Sequence, residues 1–359
     1  MTDFVGIYQG KKVLLTGHTG FKGSWLAMWL LSLGARVVGV ALPPDTSPSH
    51  WDLLALDIPE HRVDIRDSAK LGVILRRENP DIVFHLAAQP LVRRSYREPL
   101  DTWSTNVMGT ANLLEACRHC DALRAAVIVT TDKVYKNREQ DRGYHEDETL
   151  GGHDPYSASK AACELVAASY RSAFFHSPGA PLIATARAGN VIGGGDWCED
   201  RLIPDLIRAM TGGSTLTIRS PQSTRPWQHV LECLSGYLLV GQMLLEGHSR
   251  HACAWNFGPE RESAVTVGEV LVRLKKRWPE LAWQTTDSAQ PHEAALLSLD
   301  SGKAKKELGW RPVWALEDAL DATAEWYRAY LNGGHVESHS QLAAYVTAAR
   351  RGGAVWGGA

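Results

Sequence analysis

The sequence predicts an α/β protein: a doubly wound parallel sheet covered by helices on both faces, followed by a smaller mixed α/β lobe. Three observations predict it. Short apolar runs alternate with helical patterns from Lys12 to Ala188, and parallel strands need such crossovers. A glycine-rich turn, Gly17-His18-Thr19-Gly20-Phe21-Lys22-Gly23, joins the first run to the first helical pattern. After Asn190 the rhythm changes: glycines and prolines are dense, strands shorten and helices follow one another. The division that results is residues 1–189 for the sheet domain and 190–340 for the smaller lobe, with late segments returning to the sheet. Residues 341–359 form a tail whose Gly/Ala-rich end after Arg351 reads as frayed.

Each element has its own local signal. Lys12–Thr16 is an apolar run that stops in glycines. Phe21–Leu33 has helical spacing and ends at Gly34, a good C-terminal stop. Arg36–Leu42 is a second buried strand and Val63–Ile65 a short third. A polar helix from Asp67 to Glu78 closes at Pro80, and Asp81–Ala88 gives a fourth strand. Leu100–Cys117 reads as one helix and Ala125–Thr131 as a fifth strand. Asp154 can cap a helix with Pro155 at its first position, and Leu182–Ala188 is a sixth strand. Later helices are expected near Val230–Glu246, Thr266–Trp278 and Leu316–Leu331.

Composition narrows the class. The chain has 359 residues, 44% of them hydrophobic, enough for a major and a minor lobe. A net charge of −2 argues against a general affinity for nucleic acid. The six cysteines sit mostly in apolar stretches of a chain too large to need disulfides, so they read as free thiols in a reducing compartment. Cys117 and Cys120 lack a second pair for zinc and read as a buried helix face; no metal is expected. No basic-then-apolar leader and no uninterrupted apolar run of about 18 residues is present, so a soluble cytoplasmic protein without membrane contact is expected.

The glycine-rich turn carries the first functional expectation. Glycines let the backbone turn sharply and approach a pyrophosphate at the positive end of a helix. A tight turn without a ligand is the plainer reading of such a motif; its place between first strand and first helix favours a dinucleotide. Its spacing, Gly17 to Gly20 to Gly23, resembles that of the extended short-chain dehydrogenase/reductase family, a likeness that runs from Lys12 to about Trp314. The resemblance implies a Rossmann-type sheet and NAD as cofactor, with Gly17, Gly20, Phe21 and Gly23 at the pyrophosphate. It also implies Asp64-Ile65 at the adenine side and Leu86-Ala87-Ala88 along the nicotinamide half. The acid that often ends the second strand of an NAD site is replaced by Ala41-Leu42-Pro43-Pro44, with Asp45 further on, which implies a looser hold. No arginine follows that strand in sequence, so NAD is expected rather than NADP, with Lys22 as a possible exception.

A second pair of segments defines the chemistry. Tyr156 and Lys160 are four apart on a helix and share a face. A free tyrosine, with a pKa of about 10, is a poor base at neutral pH; a nearby ammonium and a cationic nicotinamide favour its phenolate. Thr131-Asp132-Lys133 ends the fifth strand and adds a hydroxyl, a carboxyl and an amine. A solvated turn is its plain reading, but within the family this set resembles sugar-nucleotide 4,6-dehydratases, and its Lys133 resembles the branch that acts on CDP-glucose. The resemblance implies three steps. Tyr156 takes the C4 hydroxyl proton while hydride passes to NAD. Water is lost across C5–C6, with Asp132 as acid and Lys133 as base. Hydride returns to C6. A 4,6-dehydratase of dTDP-glucose or GDP-mannose, a 4-epimerase and a non-catalytic NAD-binding regulator are the alternatives.

For the substrate, Asn190 is expected at a phosphate or sugar hydroxyl, and Arg219 and Arg225 at the diphosphate. His292 is a further candidate, as are Gln89, Arg93 and Tyr96 after the fourth strand. Pro226 stands where the family commonly has Asp, and Trp227 is expected to pack. The resemblance also implies a homodimer formed through a four-helix bundle of Leu100–Cys117 and the Tyr156 helix.

Overall fold

The computed structural model describes residues 3–218, 220–286 and 296–358. The first half contains β1 (Lys12–Thr16), α1 (Phe21–Ser32), β2 (Arg36–Ala41), α2 (His50–Leu54), β3 (Glu60–Arg62), α3 (Ser68–Glu78), β4 (Ile82–His85), α4 (Val92–Arg97), α5 (Pro99–Trp103), α6 (Gly109–Cys117), β5 (Ala125–Val129), α7 (Pro155–Ala173) and β6 (Leu182–Ala188). The second contains β7 (Val191–Ile192), α8 (Leu202–Thr211), β8 (Leu216–Ile218), β9 (Thr224–Pro226), β10 (Gln228–His229), α9 (Val230–Leu245), β11 (Ala254–Phe257), β12 (Ala264–Thr266), α10 (Val267–Arg277), β13 (Trp283–Thr285), α11 (Leu316–Gly333) and α12 (Ser338–Arg351).

Seven strands form one parallel sheet in the order β11-β6-β5-β4-β1-β2-β3. The order reverses between β1 and β4, which opens a crevice beyond the carboxyl ends of those strands. Alternate strand residues face opposite layers. Val13, Leu15, Ile82 and Phe84 meet α1, α9 and α12, whereas Leu14, Val83, Ala126 and Ile128 meet α3, α6 and α7. A separate core joins α8, α10 and α11.

Local chemistry explains several boundaries. Asp154 accepts the Ser157 N–H and Pro155 opens α7, as the sequence predicts. Asp67 caps α3 through the Lys70 N–H, and Asn79 ends it in the left-handed conformation. Cys117 and Cys120 are buried, and all six cysteines are free.

Three expectations are corrected. The third strand is Glu60–Arg62 rather than Val63–Ile65, because its register against Gly39–Ala41 is an edge pairing that apolar content does not reveal. The helix expected at Leu100–Cys117 is interrupted by a π-helical turn at Ser104–Met108. There Asn106 turns inward, bonding both Gln89 and Ser159. The chain end is not frayed: Trp356 is buried, stacked on Phe4, and Asp3 holds Arg350 and the Gly358 N–H. Helices α2, α4, α8 and α12 are not among the elements the sequence predicts.

Candidate active site

The crevice is built from close backbone contacts. Gly17 has φ +74°, and a Cβ there would lie 2.6 Å from the Ala87 nitrogen. A Cβ on Gly23 would lie 2.0 Å from the Gly17 carbonyl oxygen. Only hydrogen fits at either place, and the first turn of α1 is thereby pulled against the end of β4. Gly20 is the N-cap and brings no side chain to close the helix, so the first-turn N–H groups remain open to an anion. The Thr16 hydroxyl accepts the Leu86 and Ala87 N–H groups, both at 3.2 Å, and lies 2.7 Å from His85 Nδ1. Burial pulls His85 down to about 3, so this strand end is neutral. The cradle fits the dinucleotide that the turn predicts.

The end expected to take the adenine side is organised by ion pairs. Arg66 grips the Asp64 carboxylate and also reaches Asp101 at 2.5 Å, which holds Asp64 below the usual carboxylate range. Ile65 is buried against Gly109. Asp45 is drawn to Arg94 at 2.7 Å, and the Leu42 carbonyl takes the Thr19 hydroxyl and one arm of Arg62. An arginine therefore does stand at the end of β2. It comes from the neighbouring strand, where linear order hides it, and Glu60 pairs with its other arm. Lys22 is not at this end: its ammonium lies 5.9 Å above the Tyr237 ring and its charge is felt by Lys160.

At the other end of the crevice the two candidate catalytic segments converge. Thr131 caps the short turn Asp132–Val134, accepting the Lys133 N–H and donating to Asp132 Oδ1 at 3.0 Å. Asp132 is buried, and its Oδ2 has no hydrogen-bond partner among the described residues. Lys133 is half-buried. Tyr156 is buried beside Thr131, and Lys160 Nζ donates to the Val129 carbonyl at 3.1 Å. Burial pushes the Tyr156 phenol up to about 12, against the pull of Thr131; Asp132 and Asp154 add to the rise, and Arg201 opposes it. The expectation that Lys160 lowers this phenol is thus not met in the protein alone, where desolvation dominates. Arg201, paired with Asp196 at 3.0 Å, is a residue the sequence reading missed. Its signal was a basic residue directly before the Leu202 helix.

The substrate candidates divide. Asn190 is half-buried where β7 meets β10, its carbonyl accepting the Gln228 N–H at 3.3 Å. Arg225 is buried on β9, and Trp227 packs with its indole N–H on the Val265 carbonyl. A Cβ on Gly189 would lie 3.0 Å from Pro226 and 3.1 Å from Asp132 Oδ2, so the neighbours of Asn190 and Arg225 meet beside the candidate acid. Gln89 instead braces its own loop through Thr102 and Leu91. Arg93 pairs with Asp200 at 3.3 Å, and Tyr96 is exposed. Arg219 and His292 lie outside the described residues.

The pattern of the GDP-mannose 4,6 dehydratase family matches residues 14–323, most of the chain and both catalytic segments. The chain belongs to that family. A relative within reach of this dehydratase chain is the CDP-glucose 4,6-dehydratase of Salmonella typhimurium, 46% identical over 96% of this chain and 98% of its own. Among solved structures, DesIV, the dTDP-glucose 4,6-dehydratase of Streptomyces venezuelae with NAD and TYD bound, is 27% identical with a TM-score of 0.74. The match covers 89% of this chain and 98% of that one. MoeE5 in complex with UDP-glucose and NAD is 28% identical with a TM-score of 0.76, over 89% and 99% of the two chains. The Rossmann-type fold expected from the sequence is the fold shared with these two solved structures.

Proposed function

We propose that this protein is an NAD-dependent hydro-lyase that converts CDP-D-glucose to CDP-4-keto-6-deoxy-D-glucose. The observation that carries the reading is the meeting of two sets of groups at one crevice mouth. Tyr156 and Lys160 form a couple suited to oxidation, and Thr131, Asp132 and Lys133 add an acid and an amine suited to elimination. The likeness to the Salmonella CDP-glucose 4,6-dehydratase supports the cytidine sugar.

Gly17, Gly20, Phe21 and Gly23 hold the NAD pyrophosphate, Asp64 and Ile65 the adenine side, and Leu86, Ala87, Tyr156 and Lys160 the nicotinamide side. When bound, NAD accepts a hydride from C4 and gives it back to C6, so it is not consumed. The chain's own residues move the protons. Tyr156 accepts the proton of the C4 hydroxyl, with Thr131 sharing the hydrogen bond. Burial holds its phenol near 12 although Arg201 already opposes the rise, so the positive charge of a bound nicotinamide would have to bring it into range. The 4-ketone acidifies the C5 proton, which Lys133 takes. Asp132 protonates the C6 hydroxyl, which leaves as water, and C5 later regains a proton. The sum is loss of one water. Asn190, Arg225, Arg219 and His292 bind the nucleotide-sugar within the lobe that follows residue 190.

A homodimer is part of the proposal. Leu100, Trp103, Met108 and Leu165 remain exposed on α5, the π-helical turn and α7, although those helices also pack together within the chain. Sedimentation showing monomer alone at working concentration removes the dimer. A cytoplasmic location accords with free thiols; among the described residues no helix is long and apolar enough to cross a membrane.

The test is separate incubation with CDP-glucose, dTDP-glucose, UDP-glucose and GDP-mannose and catalytic NAD. It follows the alkaline absorbance of a 4-keto-6-deoxy sugar and a mass loss of one water. Product from CDP-glucose alone is expected. Product from another nucleotide keeps the mechanism and discards the cytidine; a 4-epimer with no water lost replaces the reading with an epimerase.

A further inference from the structure

Glu164 stands one turn beyond Lys160 on α7, on the face that carries Tyr156. It is buried, and its carboxylate accepts four hydrogen bonds. Oε1 takes the Thr130 hydroxyl at 2.5 Å and Arg187 Nε at 2.9 Å. Oε2 takes the Thr185 hydroxyl at 2.6 Å and Arg187 Nη2 at 2.9 Å. The lone pairs are matched, and the guanidinium meets the carboxylate as a fork. Burial pushes the Glu164 carboxyl up, but Arg187 and the two hydroxyls outweigh it and hold the group below its ordinary range.

Arg187 carries the connection outward from β6. Its Nη1 donates to the Tyr135 hydroxyl at 2.7 Å and to the Glu146 carbonyl at 3.0 Å. Tyr135 donates to Asn256 Oδ1 at 2.7 Å and stacks on Tyr144 with centroids 5.0 Å apart. Asn256 Nδ2 then reaches the carbonyls of Tyr144 and Asp300. The network thus touches both sides of the catalytic turn: Thr130 directly precedes Thr131, and Tyr135 is two residues beyond Lys133.

A buried ion pair is a weak source of net stability compared with apolar groups of the same volume, and its best-attested use is to select one geometry. Here a particular geometry is required. Oxidation at C4 and water loss at C5–C6 act on neighbouring atoms of one sugar, yet their groups lie on different elements. Tyr156 and Lys160 are on a long helix; Asp132 and Lys133 are on a turn that has left the sheet after Val129. We propose that the Glu164–Arg187 pair is a positioning element that holds Asp132 and Lys133 in register with Tyr156 and Lys160, acting on the turn through Thr130 and Tyr135. The proposal rests on the dehydratase reading, since only a two-stage reaction needs that register. Displacement of a reacting group by about 1 Å costs on the order of 100-fold in rate.

Two variants of the full chain test it. Tyr135→Phe removes the tie between Arg187 and the turn while keeping the ring against Tyr144; Arg187→Lys keeps the charge but loses the fork. In both folded variants, amide hydrogen exchange over residues 130–136 should quicken by about tenfold or more while strands β1 and β4 keep their protection. With CDP-glucose, kcat should fall by about tenfold or more with KM little changed. Reduced nicotinamide should also build up, seen by its near-ultraviolet absorbance, because oxidation outruns elimination. Unchanged exchange over 130–136 overturns the proposal whatever the enzyme turns over. A loss of kcat without reduced nicotinamide overturns it as well, because simple loss of folded protein does the same. Wild-type protein that dehydrates no sugar nucleotide instead overturns the dehydratase reading, and with it the need for register.

Discussion

Asp132 is the residue on which the proposed elimination turns. One carboxyl oxygen accepts the Thr131 hydroxyl; the other is buried without a partner among the described residues. Leaving a buried polar atom unpaired costs about 1–3 kcal/mol, a cost that native sites keep where a ligand completes the bonding. A sugar hydroxyl held there would complete it and be placed for protonation. Asp132→Asn should therefore slow water loss by roughly 100- to 10,000-fold while C4 oxidation persists, measured as reduced nicotinamide formed without a mass loss of one water. Normal water loss in this variant would refute the acid role. Thr131, Asp132, Lys133, Tyr156 and Lys160 are legible in the sequence because adjacency and four-residue spacing are local properties. Arg201 was not legible: its charge reaches Tyr156 only because the segment before α8 folds back onto the site. The ionisation of Tyr156 was not legible either, since burial is a property of everything packed around a group.

Among the elements, the turn between β1 and α1 is the most demanding. The Gly23 position abuts the backbone of Gly17, which no rotamer change can relieve. Gly23→Ala should destabilise the protein by roughly 1–3 kcal/mol. By shifting the first turn of α1 it should also weaken NAD binding by about tenfold or more, read by calorimetric titration. Undiminished affinity would mean that the turn does not carry the pyrophosphate. Glycine spacing, caps and apolar runs made this turn, α7 and β6 readable in the sequence. The break inside 100–117 was not, because Asn106 leaves helical register to satisfy groups at Gln89 and Ser159, distant in sequence. Nor was β3, a polar edge strand defined by its partner rather than by its own residues.

Over the whole molecule, the chain end closes one face of the sheet. Helix α12 brings Tyr345 and the following Trp356 against α1, and Tyr345 donates to Glu232 Oε2 at 2.9 Å. Glu232, buried on α9, also accepts the Val313 and Trp314 N–H groups. Burial still pushes its carboxyl up to about 7, as these hydrogen bonds only partly oppose it. A carboxyl raised on folding binds its proton more tightly in the native state. Its contribution is therefore fully present below the ordinary carboxylate pKa of about 4.3 and is lost as pH rises through about 7. The term is about 4 kcal/mol at most. Denaturant unfolding should show stability declining between about pH 5 and pH 8, and Glu232→Gln, neutral throughout, should flatten that decline. An equal slope in both proteins would assign the pH dependence elsewhere.

The sequence by itself determined the α/β class and the glycine turn and pointed to the two candidate catalytic segments, because strand and helix periodicity, backbone freedom and short-range spacing are written in neighbouring residues. Only the tertiary structure decided what surrounds them. It brought Arg62 to the end of β2, added β11 to the sheet and buried Trp356 against Phe4. It also locked Glu164 to Arg187 between the catalytic helix and turn. Each of these joins residues far apart in the chain, and packing and desolvation act on proximity in space.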